Sequence, residues 1–547
     1  MSRLPLGIQT FSEIRERNLV YVDKTDLIWE LVQGTKYAFL SRPRRFGKSL
    51  LVSTLEAYFR GRTALFEGLN ISRRESKWRQ FPIIRIDFSQ ADYTQPNGVS
   101  DGLRSIINQI AENYGLQFAE TSVTKFPSAG FSDLIDQIYS VHGAVVILID
   151  EYDKALVNVL NDEIQFQENQ AILANFYSVL KAKDDKIRFA FLTGVSQFAK
   201  LNIFSGLNNL TDISLEPEFA NLVGFSWQEM KDNLAEELRT FQQSTGMPTD
   251  LFREEFRLMY NGYSWNGIDF LHNPFSVLSA LRKKRFNEFW FITGSPTFLT
   301  QLVRSQAVIP EDLAPYVTSN LIGRSSDPTR IPLPVLLFQT GYLTIKKRVT
   351  TYGRDTYTLD YPNQEVRNAF FGSILAEFAY KSTEVYEDIV RQTRDHLWVQ
   401  DFEQLFATLQ RVFADIPARL HLPFEAYYHS MIYLFLRMVG FRLTLERETS
   451  KGRIDGIMQF AGRTYIIEFK FAKTGKPETL AERALQQIHQ NDYPAAFLDP
   501  ALETVLLGIG VVKKDLVGRH ETLPPGAWKN GSVSTPSSEE GVNGPTL

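Results

Sequence analysis

The sequence predicts an α/β protein of several domains, and three observations lead to this expectation. The chain has 547 residues, which is too long for one hydrophobic core and implies two to four domains. Short apolar runs alternate with amphipathic segments through the first half, which indicates a parallel sheet covered by helices on both faces. A second group of β runs with a helix near the carboxyl end predicts a smaller α/β domain.

The individual elements follow from hydrophobic spacing. Strands of the first sheet are predicted at 37–41, 83–88, 145–150 and 187–193, with helices at 48–59, 102–114, 131–141 and 169–182. The middle of the chain predicts a helix at 274–281, a helix-plus-hairpin unit at 332–359 and mainly helical structure at 384–440. The last part predicts β runs at 454–460 and 464–471, a helix at 479–490 and a strand at 504–512.

These elements divide the chain into five predicted regions. They are a first α/β domain at 1–290, a lid or winged-helix-like region at 291–383, a helical connector at 384–420, a second α/β domain at 421–520 and a tail at 521–547. The tail is rich in Pro, Gly, Ser and Thr and poor in large apolar residues, which predicts disorder.

Composition excludes some chemistry and leaves the rest to local motifs. Lys and Arg total 59 and Asp and Glu total 63, a net charge of -4, so overall charge gives no argument for nucleic-acid binding. The absence of cysteine excludes disulfides, thiolate zinc sites and cysteine nucleophiles, and it fits a cytoplasmic protein. Neither a signal peptide nor an apolar run of about 20 residues is present, so we expect no membrane association.

Residues 42–49 (RPRRFGKS) follow the first predicted strand, open a helix and end in the Gly-Lys-Ser of a P-loop. Backbone N–H groups at a helix N-terminus hold phosphate oxygens. We expect Lys48 to reach the β and γ phosphates of ATP and Ser49 to bind Mg²⁺. Arg42 stands where the usual pattern has its first glycine. The alternative is a basic turn before a surface helix.

A buried β run about 100 residues later ends in Asp150 and Glu151. Carboxylates at the carboxyl end of a parallel strand lie where α/β sheets bind ligands. We expect Asp150 to hold the magnesium shell and Glu151 to orient or deprotonate the attacking water. Thr193 ends the next strand and is either a γ-phosphate sensor or a plain strand end.

Several segments resemble the AAA-ATPase-like family of prokaryotic proteins over about residues 4–285. They are 21–25 (YVDKT), 42–49, 150–153 (DEYD), 193–195 (TGV) and 273–276 (NPFS). The resemblance includes the arginine at position 42 and implies an ATPase related to AAA+ and STAND proteins. It leaves the roles of the loop arginines open between phosphate and a neighbouring subunit. Homo-oligomerisation also stays open, since no arginine finger is identified. The nucleotide-site residues are Arg42, Arg44, Arg45, Gly47, Lys48, Ser49, Asp150 and Thr193.

A second constellation combines Asp455 with Glu468 and Lys470 on two predicted β runs. If Ala461-Gly462 forms a two-residue hairpin loop, Asp455 lies opposite Glu468, with Cβ atoms about 5 Å apart. A divalent cation would turn the repulsion between these carboxylates into attraction. Lys470 shares the face of Glu468 and is placed to activate water or stabilise phosphorane charge. The alternative is an ordinary Glu–Lys surface pair.

A predicted helix before the hairpin places Glu425 and His429 on an otherwise apolar stripe, where a buried acid needs a partner or a metal. His429 is also explained as a core histidine. Gln487 on the later helix either holds a phosphate or a water through its amide, or is a helix cap or surface residue. The stretch from Glu425 to Val512 resembles the PD-(D/E)XK nuclease superfamily. The resemblance implies metal ligation by Glu425, Asp455 and Glu468, and a catalytic role for Lys470.

The sequence therefore predicts an ATP- and Mg²⁺-dependent enzyme that joins a P-loop ATPase to a nuclease-like module. Nucleic acid is the expected partner, with DNA as the first expectation. One alternative is a regulatory or defence switch whose C-terminal module binds DNA or a partner without cutting it. Another is a signalling ATPase with no nucleic-acid partner.

Overall fold

The computed structural model of the protein divides into two units. One comprises Met1–Leu299 with Asp312–Arg367, and the other comprises Thr300–Glu311 with Asn368–Leu547. None of the helices within the described ranges has both the length and the apolar composition needed to cross a membrane. The residues described are 3–116, 126–160, 162–197, 203–204, 206–290, 314–319, 321, 331–379, 383–414, 435, 438–439, 448–449, 452–453, 455–472, 474–491, 502–513, 515–525, 528–529 and 532–533.

A five-stranded parallel sheet forms the centre of the first unit. Its strands are β1 (Tyr37–Ser41), β2 (Ile83–Asp87), β3 (Val145–Asp150), β4 (Ile187–Gly194) and β5 (Thr211–Asp212). They lie in the order β2-β3-β4-β1-β5, and every neighbouring pair is parallel. All residues of β1 and β3 are buried, as expected of strands covered on both faces. The predicted α/β fold class is confirmed.

Helices connect these strands. They are α1 (Phe11–Glu16), α2 (Thr25–Gly34), α3 (Lys48–Phe59), α4 (Gly98–Asn113), α5 (Pro127–His142), α6 (Lys154–Val157) and α7 (Glu163–Ala182). Short 3₁₀ turns lie at Thr63–Phe66, Asn70–Arg73, Phe88–Gln90, Asp184–Lys186 and Pro217–Phe219. The Asp162 side chain accepts a hydrogen bond from the Gln165 N–H and caps α7, which explains why this helix begins before the predicted residue 169.

A helical layer follows the sheet in the first unit. It contains α8 (Trp227–Asn233), α9 (Ala235–Thr245), α10 (Thr249–Tyr260) and α11 (Pro274–Lys283), with β6 (Asn261–Tyr263) pairing with β7 (Leu271–His272). A capping box between Ser226 and Glu229 starts α8, because each side chain accepts the other residue's N–H. The helices pack around a shared aromatic core that includes Phe241, Phe256 and Tyr260.

Residues 314–367 also belong to the first unit. They form β8 (Tyr316–Thr318), α12 (Leu333–Thr340), β9 (Thr344–Thr351), β10 (Arg354–Asp360) and the start of α13 (Gln364–Ala379). The Ser264 N–H donates to Thr344 Oγ1 at 2.7 Å, and this hydroxyl donates to the Ser264 carbonyl at 2.9 Å. These bonds join β9 to the helical layer, whereas the sequence predicted a separate region at 291–383. Its residues 291–313 lie outside the described part of the chain.

The second unit holds α14 (Thr383–Val399), α15 (Phe402–Ala414), α16 (Pro477–Gln490) and a sheet of four strands. The strands are β13 (Gly456–Phe460), β14 (Arg463–Ala472), β15 (Glu503–Val512) and β16 (Asp515–Leu523), in that order. Two short pairs accompany it, β11 (Glu448–Thr449) with β12 (Gly452–Arg453) and β17 (Trp528–Lys529) with β18 (Ser532–Val533).

One boundary of the predicted tail needs correction. Residues 521–523 belong to β16 rather than to a disordered tail. Leu523 pairs with Thr504 and is buried in an apolar cluster with Ile466, Ile488 and Leu506. This burial holds the end of the strand although its sequence is largely polar.

Candidate active sites

The loop between β1 and α3 carries the predicted phosphate-binding motif. Gly47 precedes α3 with φ of 95°, a left-handed conformation that glycine adopts without steric cost. The Lys48 side chain is buried, and its Nζ donates to the carbonyl oxygens of Arg42 at 3.0 Å and Pro43 at 3.1 Å. Burial lowers the pKa of Lys48, and the neighbouring charge of Asp150 opposes that shift. The ammonium group is thus held against the loop.

Ser49 and Asp150 meet at the carboxyl edge of the sheet. Asp150 ends β3, is 1% exposed, and accepts a hydrogen bond from the Ser49 side chain. It also accepts the N–H of Glu151 at 3.0 Å. Burial raises the pKa of Asp150, while the Ser49 hydrogen bond and the charge of Lys48 act in the opposite direction. A buried carboxylate beside a hydroxyl is a suitable donor pair for a magnesium ion.

Glu151 has an unusual backbone conformation. Its φ is 52°, in the left-handed region, where a residue with a Cβ is strained by about 1–2 kcal/mol. The side chain is 41% exposed, forms an ion pair with Lys154 at 3.0 Å and lines the adjacent cavity. Strained residues of this kind occur frequently at functional sites. Glu151 is therefore accessible to a water molecule beside the phosphate loop.

Thr193 lies inside the sheet and not at the cavity. It is fully buried, and its hydroxyl donates to the carbonyl oxygen of Leu40 at 2.7 Å across the β1–β4 pair. It is not among the described residues that line the cavity. This placement favours the plain strand end over the γ-phosphate sensor.

The structure corrects the expectation that Arg42 contacts the nucleotide. Arg42 is 1% exposed, and its guanidinium donates to the carbonyl oxygens of Ser41 at 2.9 Å and Ser214 at 2.8 Å. The group also stacks on the Trp265 ring, with 4.0 Å from Cζ to the ring centroid. Burial lowers its pKa to about 9. Arg42 thus stabilises the loop from the protein interior. The sequence did not predict this role because two of its partners, Ser214 and Trp265, are distant in the chain.

Arg44 and Arg45 border a cavity of about 750 Å³ beside the loop. The Arg45 guanidinium lies over the Phe275 ring at 3.6 Å from its centroid. Burial lowers the pKa of Arg45, and the charge of Glu365 opposes this effect. The cavity is lined further by Gly47, Lys48, Ser49, Glu151, Val22 and Leu278. A cavity with cations at one wall and apolar side chains at another suits a nucleotide.

Asp153 is a residue of the nucleotide site whose role could not be assigned from the sequence. Its carboxylate is buried and accepts hydrogen bonds from the Ser196 N–H at 2.7 Å and the Ser196 hydroxyl at 2.6 Å. It thereby fixes the loop after β4. A Cβ on Gly194 would lie 2.3 Å from Asp153 Oδ1, so this position requires glycine. An acid three residues after Asp150 was the available sequence signal.

The predicted two-residue hairpin in the second unit is confirmed. Phe460 pairs with Arg463 around the Ala461-Gly462 turn, and pairing continues to Gly456 opposite Ile467. Asp455 lies one residue before β13, and its Oδ2 accepts the Phe469 N–H at 2.7 Å. This register brings Asp455 beside Glu468, as the sequence predicted.

Glu468 is a buried residue rather than a member of a surface pair. It is 2% exposed, and its Oε1 accepts a hydrogen bond from Lys470 Nζ at 3.1 Å. Its Oε2 is buried without a hydrogen-bond partner among the described residues. Burial, and then the negative charge of Asp455, raise the pKa of Glu468 to about 7, and Lys470 opposes this shift. A buried acceptor with an acid beside it suits a bound cation.

The third predicted ligand, Glu425, lies outside the described residues, as does His429. Within the part of the chain that the structure describes, no group of three or more His, Asp or Glu side chains is placed to hold a metal ion. The described site therefore consists of Asp455, Glu468 and Lys470.

Two glycines of β15 lie next to the site residues of β14. In the parallel β14–β15 pair, Glu468 faces Gly508 and Lys470 faces Gly510. A Cβ on Gly510 would lie 2.0 Å from the Pro477 carbonyl oxygen, and one on Gly508 would lie 2.5 Å from that of Ala481. The backbone of α16 therefore packs directly on these glycines.

Comparison with known proteins agrees with the two predicted α/β domains. Residues 5–204 match the family model of a predicted AAA-ATPase, and residues 423–521 match the PD-(D/E)XK nuclease superfamily. The chain belongs to the AAA-ATPase-like family and carries a C-terminal PD-(D/E)XK nuclease superfamily domain.

One relative matches most of the chain. The chain is 35% identical over 518 residues to an uncharacterized protein in the vnfD 5′ region of Azotobacter chroococcum mcd 1. The match covers 93% of this chain and 96% of the relative. A structure of the Aeropyrum pernix ORC2 protein, in ADPNP–ADP complexes, matches with 12% identity and a TM-score of 0.27, covering 65% of this chain and 93% of that chain.

Proposed function

We propose that the chain hydrolyses ATP at its P-loop and cleaves DNA at the Asp455–Glu468–Lys470 site, both with magnesium. The observation that carries the proposal is the buried Glu468 Oε2, which has no hydrogen-bond partner among the described residues and lies in a carboxylate beside Asp455 and Lys470. Removing such a group from water is unfavourable unless a ligand compensates. A cation held there compensates for the charge of both acids.

In the ATPase reaction, Lys48 exchanges its two loop carbonyls for phosphate oxygens of the nucleotide. Ser49 and Asp150 would hold a magnesium ion, which would offset negative charge on the nucleotide. Glu151 orients the attacking water and accepts its proton, since its carboxylate is exposed at the cavity wall. Arg44 borders the same cavity and neutralises phosphate charge.

In the nuclease reaction, Asp455 and Glu468 would hold the cation, and Lys470 stabilises charge on the scissile phosphate. When bound, a magnesium ion would polarise a phosphoryl oxygen and lower the pKa of a bound water. Lys470 is 33% exposed while Glu468 is buried, so the ammonium is accessible to a substrate phosphate and the carboxylate is retained for the cation.

The proposal is tested with purified protein, magnesium or manganese, ATP and either double-stranded DNA, single-stranded DNA or RNA. Lys470→Ala is expected to abolish cleavage and preserve ATP hydrolysis. Lys48→Ala is expected to abolish nucleotide binding. Matched controls are Lys513→Ala, an exposed lysine at the β15–β16 turn, and Lys181→Ala, an exposed lysine on α7.

Cleavage that persists in Lys470→Ala at the wild-type rate would contradict the nuclease assignment. DNA binding without cleavage of any substrate would favour the regulatory alternative, in which the module docks on DNA and does not cut it. Cleavage of RNA and not of DNA would support the phosphodiesterase chemistry and contradict DNA as the substrate.

A further inference from the structure

Glu365 is a carboxylate at the start of α13 that the proposed mechanism does not use. It is 0% exposed, and its Oε1 accepts hydrogen bonds from the Ser276 hydroxyl at 2.9 Å and the Trp290 N–H at 2.8 Å. It lies outside the ATPase family match, which ends at residue 204. Burying a carboxylate costs free energy unless hydrogen bonds or an ion pair replace its lost hydration.

The two donors to Glu365 belong to a segment that holds the P-loop. Asn273 caps α11 through its Oδ1, and its Nδ2 donates to the Arg44 carbonyl oxygen at 3.2 Å. Trp290 Nε1 donates to the same oxygen, also at 3.2 Å. Glu365 thus joins Ser276, at the start of α11, to Trp290, and both ends of this connection lead to Arg44.

The P-loop of this chain needs such external support more than a glycine-rich loop does. Arg45 has φ of 66°, which strains a residue with a Cβ by about 1–2 kcal/mol. Lys48 holds the carbonyls of Arg42 and Pro43 only while its ammonium is not on phosphate. When nucleotide binds and Lys48 turns to it, the bonds to the Arg44 carbonyl remain to hold the loop.

We propose that Glu365 is a positioning residue of the nucleotide site, which clamps Ser276 and Trp290 and thereby fixes the Arg44 carbonyl and the path of the P-loop. This inference rests on the proposed ATPase function. It adds Asn273, Ser276, Trp290 and Glu365 to the residues that position the nucleotide site. The acceptor Oε1 carries the effect, and the charge of the carboxylate is secondary.

The test measures nucleotide affinity by titration with a fluorescent ATP analogue, together with kcat and KM for ATP hydrolysis and thermal unfolding. Glu365→Ala removes the acceptor and is expected to raise Kd about 5- to 10-fold, within the range of coupled neighbours. Glu365→Gln keeps an acceptor oxygen and is expected to restore Kd to within about 2-fold of wild type. Ser276→Ala, which removes one donor outside the cavity lining, is expected to raise Kd by a smaller factor.

The clamp also predicts non-additivity. Glu365→Ala combined with Ser276→Ala is expected to bind nucleotide no more weakly than Glu365→Ala alone, because both changes open the same connection. Asp136→Ala is the matched control, since this carboxylate accepts two lysine hydrogen bonds away from the cavity and its loss is expected to leave Kd unchanged.

Three results would overturn the inference. Unchanged Kd in folded Glu365→Ala and Ser276→Ala would exclude the clamp while leaving the ATPase intact. Failure of Glu365→Gln to restore binding, in a protein that melts like wild type, would show that the charge matters and the acceptor does not. A wild-type protein that binds no nucleotide would refute the proposed ATPase function itself, and with it the clamp. If Glu365→Ala does not fold, Ser276→Ala and Glu365→Gln still decide the question.

Discussion

Replacing Arg42 by the glycine that P-loops usually carry is expected to destabilise this protein. In the structure Arg42 is buried under Trp265 and donates to the carbonyl oxygens of Ser41 and Ser214. The strand β1, the loop and the segment after β5 are therefore joined by one guanidinium. Arg42→Gly removes these contacts together and adds backbone freedom at the end of β1.

The magnitude follows from opposing contributions. Two hydrogen bonds from a charged donor contribute about 1.5–3 kcal/mol each, and stacking on a desolvated ring adds about 2 kcal/mol. Burial lowers the pKa of Arg42 to about 9, and this shift from its ordinary value corresponds to about 5 kcal/mol against the charged form. The vacated carbonyls and the flexible glycine add about 2–3 kcal/mol of loss. The expected net loss in the free energy of unfolding is about 4 kcal/mol.

Thermal unfolding followed by circular dichroism, beside nucleotide titration, checks this reasoning. A loss of this size is expected to lower Tm by on the order of 10 °C for a unit of this length. Arg44→Ala is the control, because the Arg44 side chain is exposed at the cavity and its loss is expected to weaken nucleotide binding with little change in Tm. An Arg42→Gly protein that melts like wild type and has lost nucleotide affinity would refute the buried role and restore a phosphate contact.

Three further outcomes are expected. Glu151→Gln should keep ATP affinity within about threefold while slowing hydrolysis by about 10²- to 10⁴-fold, as measured by phosphate release; a mild effect would remove Glu151 from the chemistry. Burial raises the pKa of Glu365 to about 7, above the value of about 4.5 in the unfolded chain. This group therefore contributes its full stability below about pH 4.5. About 3 kcal/mol of the free energy of unfolding is lost as the pH rises through 7. Glu365→Gln should therefore reduce the difference in Tm between about pH 5.5 and pH 8, and an unaltered difference would contradict this assignment. Gly510→Ala should abolish DNA cleavage while ATP hydrolysis continues, because a Cβ there would clash with the Pro477 carbonyl oxygen. DNA cleavage at the wild-type rate would show that α16 can move to accommodate the Cβ.

The central sheet was predictable because parallel strands are long apolar runs, as in Val145–Asp150. The phosphate loop and the hairpin were predictable because their residues are neighbours in sequence or in register. The strand β16 was missed because its sequence DLVGRHETL is largely polar, and pairing with β15 stabilises it instead of apolar composition. Strands of this kind depend on their context more than on propensity.

The role of Arg42 and the bonds around Glu365 were not predictable for a different reason. Ser214 lies 172 residues from Arg42, and Glu365 lies 89 residues from Ser276. No spacing rule connects positions this far apart in one sequence. A lone arginine in a phosphate motif suggests phosphate contact, and only the packing of Trp265 on its guanidinium shows that it faces the interior.

Gly508 and Gly510 restrict which substitutions the second unit can accept. The positions of β15 that pair with Glu468 and Lys470 carry no side chain, so the backbone of α16 packs closely on β15 there. A change of side-chain rotamer cannot move these backbone atoms aside. A larger residue at either glycine would therefore have to displace α16, so the packing of this helix constrains the strand beside Glu468 and Lys470.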